Sequence, residues 1–382
     1  MSDPVMFPPS GIAVVVLAAG WSSRMGSFKP LLPFGADTVL GHVLSTIARA
    51  AIGPAYVVVG NEADRMVPVV EACGATAVVN AAFAEGMMSS IKAGIAALPE
   101  TVVGAMILPV DVPLVRAGTL VDIARRIDDG AVVLRPTFRG RSGHPPFLHR
   151  HLFAEILAAP PQATLRESLE RHQQQALSVP VIDSGVLPDM DYPDDYNRLA
   201  AALAHRRHPD EAECEAMLDA GNVPEPTLRH CRAVAELANE IATRLIAGQV
   251  SLDVDLVRAG ALLHDIAKGE PDHAAAGARR VAAFGFTDTA DVVAAHTEVP
   301  YEPGQPIDER RVVFLADKLV RGDRRVGLED RFAPALAAFA ADPVALAAVR
   351  RRHAAVAAVL ASVEAVIGPV DCAPLASVES RP

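Results

Sequence analysis

Val14, Val15, Val16 and Leu17 form an unbroken apolar run that empties into Ala18-Ala19-Gly20, and this junction constrains the fold more than any other part of the chain. Four apolar residues in a row, with no polar alternation, suit a strand covered on both faces, as in a parallel sheet. The small residues behind it allow a turn whose backbone N–H groups face one anion, and Arg24 and Lys29 add mobile positive charge. Such a turn is a phosphate site. Gly20 and Gly26 lack the Lys-Ser/Thr pair of a P-loop, and no G-x-G-x-x-G follows the strand, so neither of the two common glycine loops is present.

From residue 11 to about 200, strand-like runs at 13–18, 55–60, 76–79, 104–109, 131–135 and 176–182 alternate with helical patterns. The helical stretches include 39–51, 62–73, 88–98 and 116–128. This alternation predicts a doubly wound α/β domain of Rossmann-like form, with a mostly parallel sheet and ligands beyond the carboxyl ends of its strands. After Ala200 the strand signal ends. Helical periods at 210–220, 225–247, 253–268, 273–284, 288–296, 307–321 and 343–367, stopped by Gly248, Gly269, Gly285 and Pro303-Gly304, predict an all-α second domain. The polar stretch 204–213 reads as a linker or the start of a new domain, giving domains at 11–203 and 210–367, and the final PVDCAPLASVESRP is expected to fray.

The net charge of −11 argues against nonspecific nucleic-acid binding while leaving room for a local basic pocket. Cys73, Cys214, Cys231 and Cys372 form no C-x-x-C pair, which favours reduced thiols over a disulfide framework. The first eleven residues, MSDPVMFPPSG, have no basic region and do not read as a signal peptide. No uncharged run reaches the roughly 18–20 residues of a membrane span. A cytoplasmic protein without membrane partners is expected.

Leu17 to Pro33, LAAGWSSRMGSFKPLLP, resembles the L-A-A-G-x-S-x-R-M-G-x-x-K-x-L-L-P signature of the MobA-like nucleotidyltransferases, most of all their molybdenum cofactor cytidylyltransferase branch. Ala19 stands where the guanylyltransferases of that family carry Gly, a swap associated with CTP in place of GTP. The resemblance implies nucleotide contacts from Leu17, Ala18, Ala19, Gly20, Ser22, Arg24, Gly26 and Lys29. Asp111, in Pro109-Val110-Asp111-Val112-Pro113, ends a predicted buried strand, where a carboxylate can hold Mg²⁺ against a triphosphate. The family carries its Mg²⁺-binding Asp in a matching P-x-D-x-P. Arg24, Lys29 and Asp111 are thus the expected catalytic set.

Three further segments extend the likeness. NAAFAEGMMSSIKAG (80–94) is similar to the family's N-x(5)-G-M-x-x-S-x-x-x-G, which implies a place near the base for Asn80 and Ser89, although Ser89 and Ser90 equally suit a helix cap. Gly140 to Pro145 resembles G-x-x-G-H-P, implying acceptor contacts from His144 and Pro145. DMDYPDDY (189–196) is similar to D-[IL]-D-T-P-E-D-Y, with Tyr192 in place of Thr. Asp191 there is either a second carboxylate near the metal or part of an acid-rich helix start. The implied reaction is attack of an acceptor phosphate on the α-phosphorus of the nucleotide with loss of pyrophosphate. Positioning and charge neutralisation carry such a transfer, and no side-chain nucleophile is required. The acceptor implied is molybdopterin bearing molybdenum, with a molybdoenzyme as the recipient of the product; another phosphorylated small molecule stays open.

In the second domain, His230 recurs with Val234, Leu237, Ile241 and Leu245 on one helix face, and Asp317 falls in line with Val313, Phe314 and Val320. His264-Asp265 lies near the end of the helix between them. Three helices can therefore aim His230, His264, Asp265 and Asp317 at one point, and a metal ion satisfies all four. This is the H…HD…D pattern of the HD-domain metal-dependent phosphohydrolases, which the chain resembles over roughly 210–367. His273 and His296 fall where some HD families recruit a second metal, although His273 and Asp265 also suit caps of neighbouring turns. The N/O donors fit Mn²⁺, Fe²⁺, Mg²⁺ or Zn²⁺, which would activate water for attack on phosphorus. Among Lys268, Lys318, Arg321, Arg324 and Arg325, Lys268 and Arg321 are favoured as phosphate contacts, with Lys268 assigned a catalytic role. A nucleotide-sensing regulator is the alternative to a hydrolase, and the complete ligand set favours hydrolysis.

Overall fold

The computed structural model of the chain describes residues 11–21, 24–127, 130–300 and 304–371. They form two compact units, Met1–Ala204 and His205–Pro382. In the first, the strands are β1 (Ile12–Leu17), β2 (Pro33–Phe34), β3 (Asp37–Thr38), β4 (Ala55–Val59), β5 (Thr76–Val79), β6 (Gly104–Pro109), β7 (Val133–Phe138), β8 (Arg141–Ser142), β9 (Phe147–His149) and β10 (Ala176–Pro180). Its helices are α1 (Val39–Ala50), α2 (Ala63–Ala72), α3 (Met87–Ala96), α4 (Ala117–Ala124), α5 (Phe153–Ala158), α6 (Leu165–Arg171) and α7 (Pro193–Ala204).

Every residue of β1 is buried, as its apolar run demands. The sheet order is β10-β7-β9-β6-β1-β4-β5, with β8 paired to β7 and β2–β3 a separate hairpin. β1 is parallel to both neighbours, pairing Val14 with Ala55 and Ile12 with Gly104. The chain thus steps from β1 outward to β4 and β5, then returns to the other side of β1 at β6. At such a reversal the carboxyl ends of the two diverging strands open a crevice. α3 packs tightly beneath it. A Cβ on Gly94 would stand 2.4 Å from Val15 Cγ1 and 3.0 Å from Val58 Cγ2, so only glycine lets the helix come this close.

Two short strands depart from the parallel order, β8, antiparallel to β7, and β9. β9 runs antiparallel between β6 and β7. Its three residues follow Pro145-Pro146, too short a run to show a period of two. The helix expected over 116–128 ends at Ala124, and Asp128 and Asp129 lie outside the described residues.

The second unit consists of α8 (Glu211–Ala220), α9 (Glu225–Ala247), α10 (Val254–Leu263), α11 (His273–Ala283), α12 (Thr287–Ala295), α13 (Glu309–Lys318), α14 (Leu328–Ala338) and α15 (Pro343–Ile367), plus a two-strand hairpin, β11 (Val320–Arg321) and β12 (Arg324–Arg325). The period-3.6 face of α9 is core: Val234, Leu237, Ile241 and Leu245 are fully buried. The helix expected over 253–268 stops at Leu263 because His264 Nδ1 donates to the Ala261 carbonyl at 2.7 Å, the acceptor the Asp265 N–H would use in a continuing helix. The helix expected over 307–321 stops at Lys318, so Val320 sits on β11 and not on the inward face with Asp317. Gly322, at φ 61°, turns the hairpin, and α14 lies in a stretch that had no predicted helix. The segment 372–382, expected to fray, lies outside the described residues. Among the described residues no helix is long and apolar enough to cross a membrane.

Candidate active sites of the two units

Beyond the carboxyl ends of β1 and β6 lies a cavity of about 330 Å³, lined in part by Ala18, Trp21, Lys29, Phe83, Met87 and Asp111. Leu17, Ala19, Gly20 and Ser90 are also among its walls. Lys29 opens a short 3₁₀ turn, is 9% exposed, and places Nζ between two carboxylates, 3.3 Å from Asp111 Oδ2 and 3.2 Å from Asp191 Oδ1. Arg24 reaches the other oxygen of Asp191 at 3.0 Å, its guanidinium 6.0 Å from the centroid of the Tyr192 ring. Asp195 caps the helix start, accepting from the Asp191 and Tyr192 N–H groups, and leaves the Asp191 carboxylate to face Lys29 and Arg24.

Burial pushes the Asp111 carboxyl above the usual carboxylate range; Lys29 opposes this, while Asp189 and Asp191 add to it. Converging carboxylates of this kind suit a divalent cation, so the donors present fit Mg²⁺. His144 faces the same charge. Burial lowers its pKa, Asp111 and Asp189 pull the other way, and its Nδ1 is buried without a hydrogen-bond partner. Its backbone N–H donates to the Val186 carbonyl, which ties the 140–146 loop to the turn at 184–186.

Asp183 organises that turn and was not foreseen. Fully buried, it accepts from Arg116 N at 2.8 Å, Thr119 Oγ1 at 2.6 Å and Gly185 N at 3.0 Å, so it joins the start of α4 to the loop that holds His144. Asn80 and Ser89 are engaged in a local hydrogen-bond network. The Asn80 amide donates to Ser89 Oγ and Ser90 Oγ and its oxygen accepts from Ala82 N, while Ser89 Oγ donates to the Gly86 carbonyl. These residues clamp the approach to α3, and Ser90 is the one that lines the cavity. Gly26, at φ 66°, turns the chain between Arg24 and Lys29; Ser22 lies outside the described residues. Trp21, Phe83 and Met87 were also missed; a lone tryptophan on a turn of small residues was the available signal.

In the second unit all six predicted ligands converge. Asp265 Oδ2 lies 3.9 Å from His230 Nε2 and 3.5 Å from His264 Nε2, and Asp317 Oδ1 lies 3.1 and 3.7 Å from the same two nitrogens. On its other side Asp265 Oδ1 is 3.4 Å from His273 Nε2 and 3.6 Å from His296 Nε2. Two donor groups result, His230-His264-Asp265 and Asp265-His273-His296, sharing one carboxylate. Three of the imidazoles are oriented from behind: the Nδ1 atoms of His230, His264 and His296 lie 2.7–2.8 Å from the carbonyls of Gly322, Ala261 and Val293. Nδ1–H donation to a carbonyl leaves the Nε2 lone pair facing Asp265.

His264 Nε2 and Asp265 Oδ1 are buried with no hydrogen-bond partner, an arrangement that a divalent ion at this point would relieve. Burial would raise the carboxyls of Asp265 and Asp317, yet the histidines and lysines beside them hold both well below the ordinary range. Burial lowers the His264 pKa, but Cys231, Asp265 and Asp317 raise it well above the ordinary imidazole value, so a proton competes with any metal for Nε2.

A hollow of about 250 Å³ opens onto this cluster past Thr227, His230, Asp265, Lys268, Arg321 and Arg331. Lys268 is half-exposed with Nζ 2.8 Å from Asp265 Oδ2. Arg321 lines the hollow while donating to the carbonyls of Asp330 and Arg331. Lys318 and Arg325 are used internally, Lys318 on Asp317 and the His296 carbonyl, Arg325 on Glu240 at 2.8 Å. Arg324 is exposed on the hairpin and does not line the hollow.

Comparison with known proteins agrees with this division. Residues 14–176 match the MobA-like NTP transferase domain family and residues 227–322 the HD domain family. The molybdenum cofactor cytidylyltransferase of Escherichia coli K12 is 27% identical over 195 residues, 49% of this chain and 94% of that protein. The bifunctional protein GlmU of Mycobacterium sp. strain KMS is 32% identical over 170 residues; the match takes in 41% of this chain and about a third, 34%, of the length of that relative. A crystal structure of a homolog of Mycobacterium tuberculosis Rv0371c, from Mycobacterium sp. strain JC1, aligns with 50% of this chain and 96% of its own, at 28% identity and a TM-score of 0.45.

Proposed function

Because the chain joins a MobA-like NTP transferase domain to an HD domain, we propose that it is an enzyme with two active sites: a nucleotidyltransferase in the first unit and a phosphohydrolase in the second. The first transfers cytidylyl from CTP to the terminal phosphate of a molybdopterin-type acceptor, releasing pyrophosphate. The observation that carries the transferase is Lys29 seated between Asp111 and Asp191, with Arg24 beside them, at the switch point of the sheet. Ala19 and the similarity to a protein named molybdenum cofactor cytidylyltransferase support CTP and this acceptor.

Mg²⁺ held by Asp111 and Asp191 would supply Lewis-acid charge at the triphosphate. The chain's own part is positional. Backbone N–H groups behind β1 cradle phosphate oxygens, and Lys29 and Arg24 neutralise charge as it builds on the leaving pyrophosphate. Burial biases His144 toward its neutral form and its Nδ1 has no hydrogen-bond partner, which suits it to a contact with the acceptor.

In the HD unit a divalent ion on the Asp265 cluster would supply an activated water for attack on a phosphoester or phosphoanhydride. Lys268 and Arg321, at the mouth of the hollow, bind the phosphate oxygens of the substrate. Hydrolysis, and not ligand sensing alone, is favoured by the convergence of four histidines on the Asp265 carboxylate, with Asp317 beside two of them.

The transferase is tested by offering molybdenum-loaded molybdopterin with each nucleoside triphosphate and Mg²⁺, and reading adducts by mass spectrometry. A cytidylyl adduct that disappears in Asp111→Ala is expected. Absence of any adduct, from protein that binds CTP, would sink the molybdopterin assignment. Exchange of His264 and Asp265 for Ala should abolish hydrolysis and leave transfer intact; altered transfer from a protein with no hydrolytic activity would favour a regulator.

A further inference from the structure

The cavity beyond β1 and β6 has two chemically different kinds of wall. The paired Lys29 and Asp111 make part of it charged, and the paired Trp21 and Phe83, with Met87, make part of it apolar. Phe83 is fixed from behind. It packs against the core under the sheet, and a Cβ on Gly60 would come within 2.6 Å of it, so its ring lies close on the backbone that follows β4. Trp21 leans on Phe83 with ring centroids 5.0 Å apart and planes at 50°, yet 60% of it stays exposed, as does 62% of Met87. The chain has a single tryptophan, and it stands on the turn immediately behind β1. A large exposed apolar surface on the wall of a concave site, backed by a rigid neighbour, is a ligand contact waiting for a flat apolar partner.

We propose that Trp21, supported by Phe83, is the stacking platform for the heteroaromatic ring of the bound nucleotide. The proposal rests on the nucleotide-transfer reading of the same cavity. With the triphosphate drawn to Lys29 and Asp111, the ring has the apolar wall of the same cavity to occupy. Every base offers a π-face, so stacking supplies affinity for the ring without choosing among bases. Trp21 therefore tightens CTP and GTP alike, and discrimination between them resides elsewhere.

Because Trp21 is the sole tryptophan, fluorescence of the full chain excited at the red edge, where the tyrosines do not absorb, reports on this wall. With Mg²⁺ present, CTP and GTP should quench it and inorganic triphosphate should not. By calorimetry Trp21→Ala should weaken both nucleotides about tenfold, leave inorganic triphosphate unaffected, and be largely rescued by Trp21→Phe. Unchanged nucleotide affinity in Trp21→Ala would overturn the proposal and leave the transferase reading standing. Quenching by a free pterin but by neither nucleotide would also overturn it, assigning the wall to the acceptor. If neither nucleotide nor triphosphate binds the wild-type chain, the transferase reading falls and the proposal with it.

Discussion

Asp265 is the residue shared by both donor groups of the HD unit, and its replacement gives a sharp forecast. Asp265→Asn keeps the shape but halves the available lone pairs and removes the charge that faces four imidazoles 3.4–3.9 Å away. His230→Ala removes a donor from one group only, and His296→Ala from the other only. In an Asp111→Ala, Asp191→Ala background, which removes the cation site of the first unit, elemental analysis after loading with Mn²⁺ should find two ions per chain, one in each histidine variant and none in Asp265→Asn. Stability should follow. An ion present at a hundredfold its dissociation constant stabilises by about 2.7 kcal/mol. For a domain of this length each kcal/mol moves the melting temperature by about 2–4 °C, so one ion contributes about 5–10 °C and two about 10–20 °C. Calorimetry should therefore show the transition of the second unit rising with metal in the order Asp265→Asn, single-histidine variants, wild type. Equal metal content with and without Asp265→Asn, or loss of only one ion, would refute the shared carboxylate.

Other outcomes follow from the same structure. Lys29→Met should slow transfer by more than tenfold and yet bind Mn²⁺ more tightly without nucleotide, because the ammonium between Asp111 and Asp191 no longer competes; unchanged or weaker Mn²⁺ affinity by paramagnetic resonance would contradict this. Gly94→Ala should destabilise the first unit by about 1–3 kcal/mol in denaturant titration, the clash with Val15 outweighing the helical gain. Asp183→Ala, which strands buried donors, should cost about 1–3 kcal/mol and lower kcat of the transferase through displacement of the His144 loop; an unaltered kcat would remove its positioning role. Metal uptake by the second unit should displace the proton favoured on His264, so affinity should fall as pH is lowered, and calorimetry in buffers of differing ionisation enthalpy should show proton release.

Much of this was legible in the residues themselves. The buried run of β1 and its small-residue turn located the first crevice, and helical spacing placed His230 and Asp317 on inward faces, because both signals come from local periodicity. What stayed hidden depends on contacts distant in sequence. β9 is held in the sheet by β6 and β7 and not by its own pattern. The end of α10 is set by a side chain that takes a backbone carbonyl, and a scan for glycine and proline cannot register that. Asn80 matched a family motif, but only the fold reveals that its amide is committed to Ser89 and Ser90.

The histidines of the HD unit also sit at particular ends of their helices. His264 and His296 are the C-cap residues of α10 and α12, and Asp317 is the penultimate residue of α13, whereas His273 opens α11. A helix carries about half a negative charge at its C-terminus and half a positive charge at its N-terminus. The Oδ2 side of Asp265 therefore sits under two negative helix ends, those of α10 and α13, while on the Oδ1 side the negative end of α12 is opposed by the positive start of α11. The macrodipoles make the two cation positions unequal. Loading should be stepwise, with the His230-His264-Asp317 side filling first, and the tighter of two binding steps should be the one that vanishes in His230→Ala.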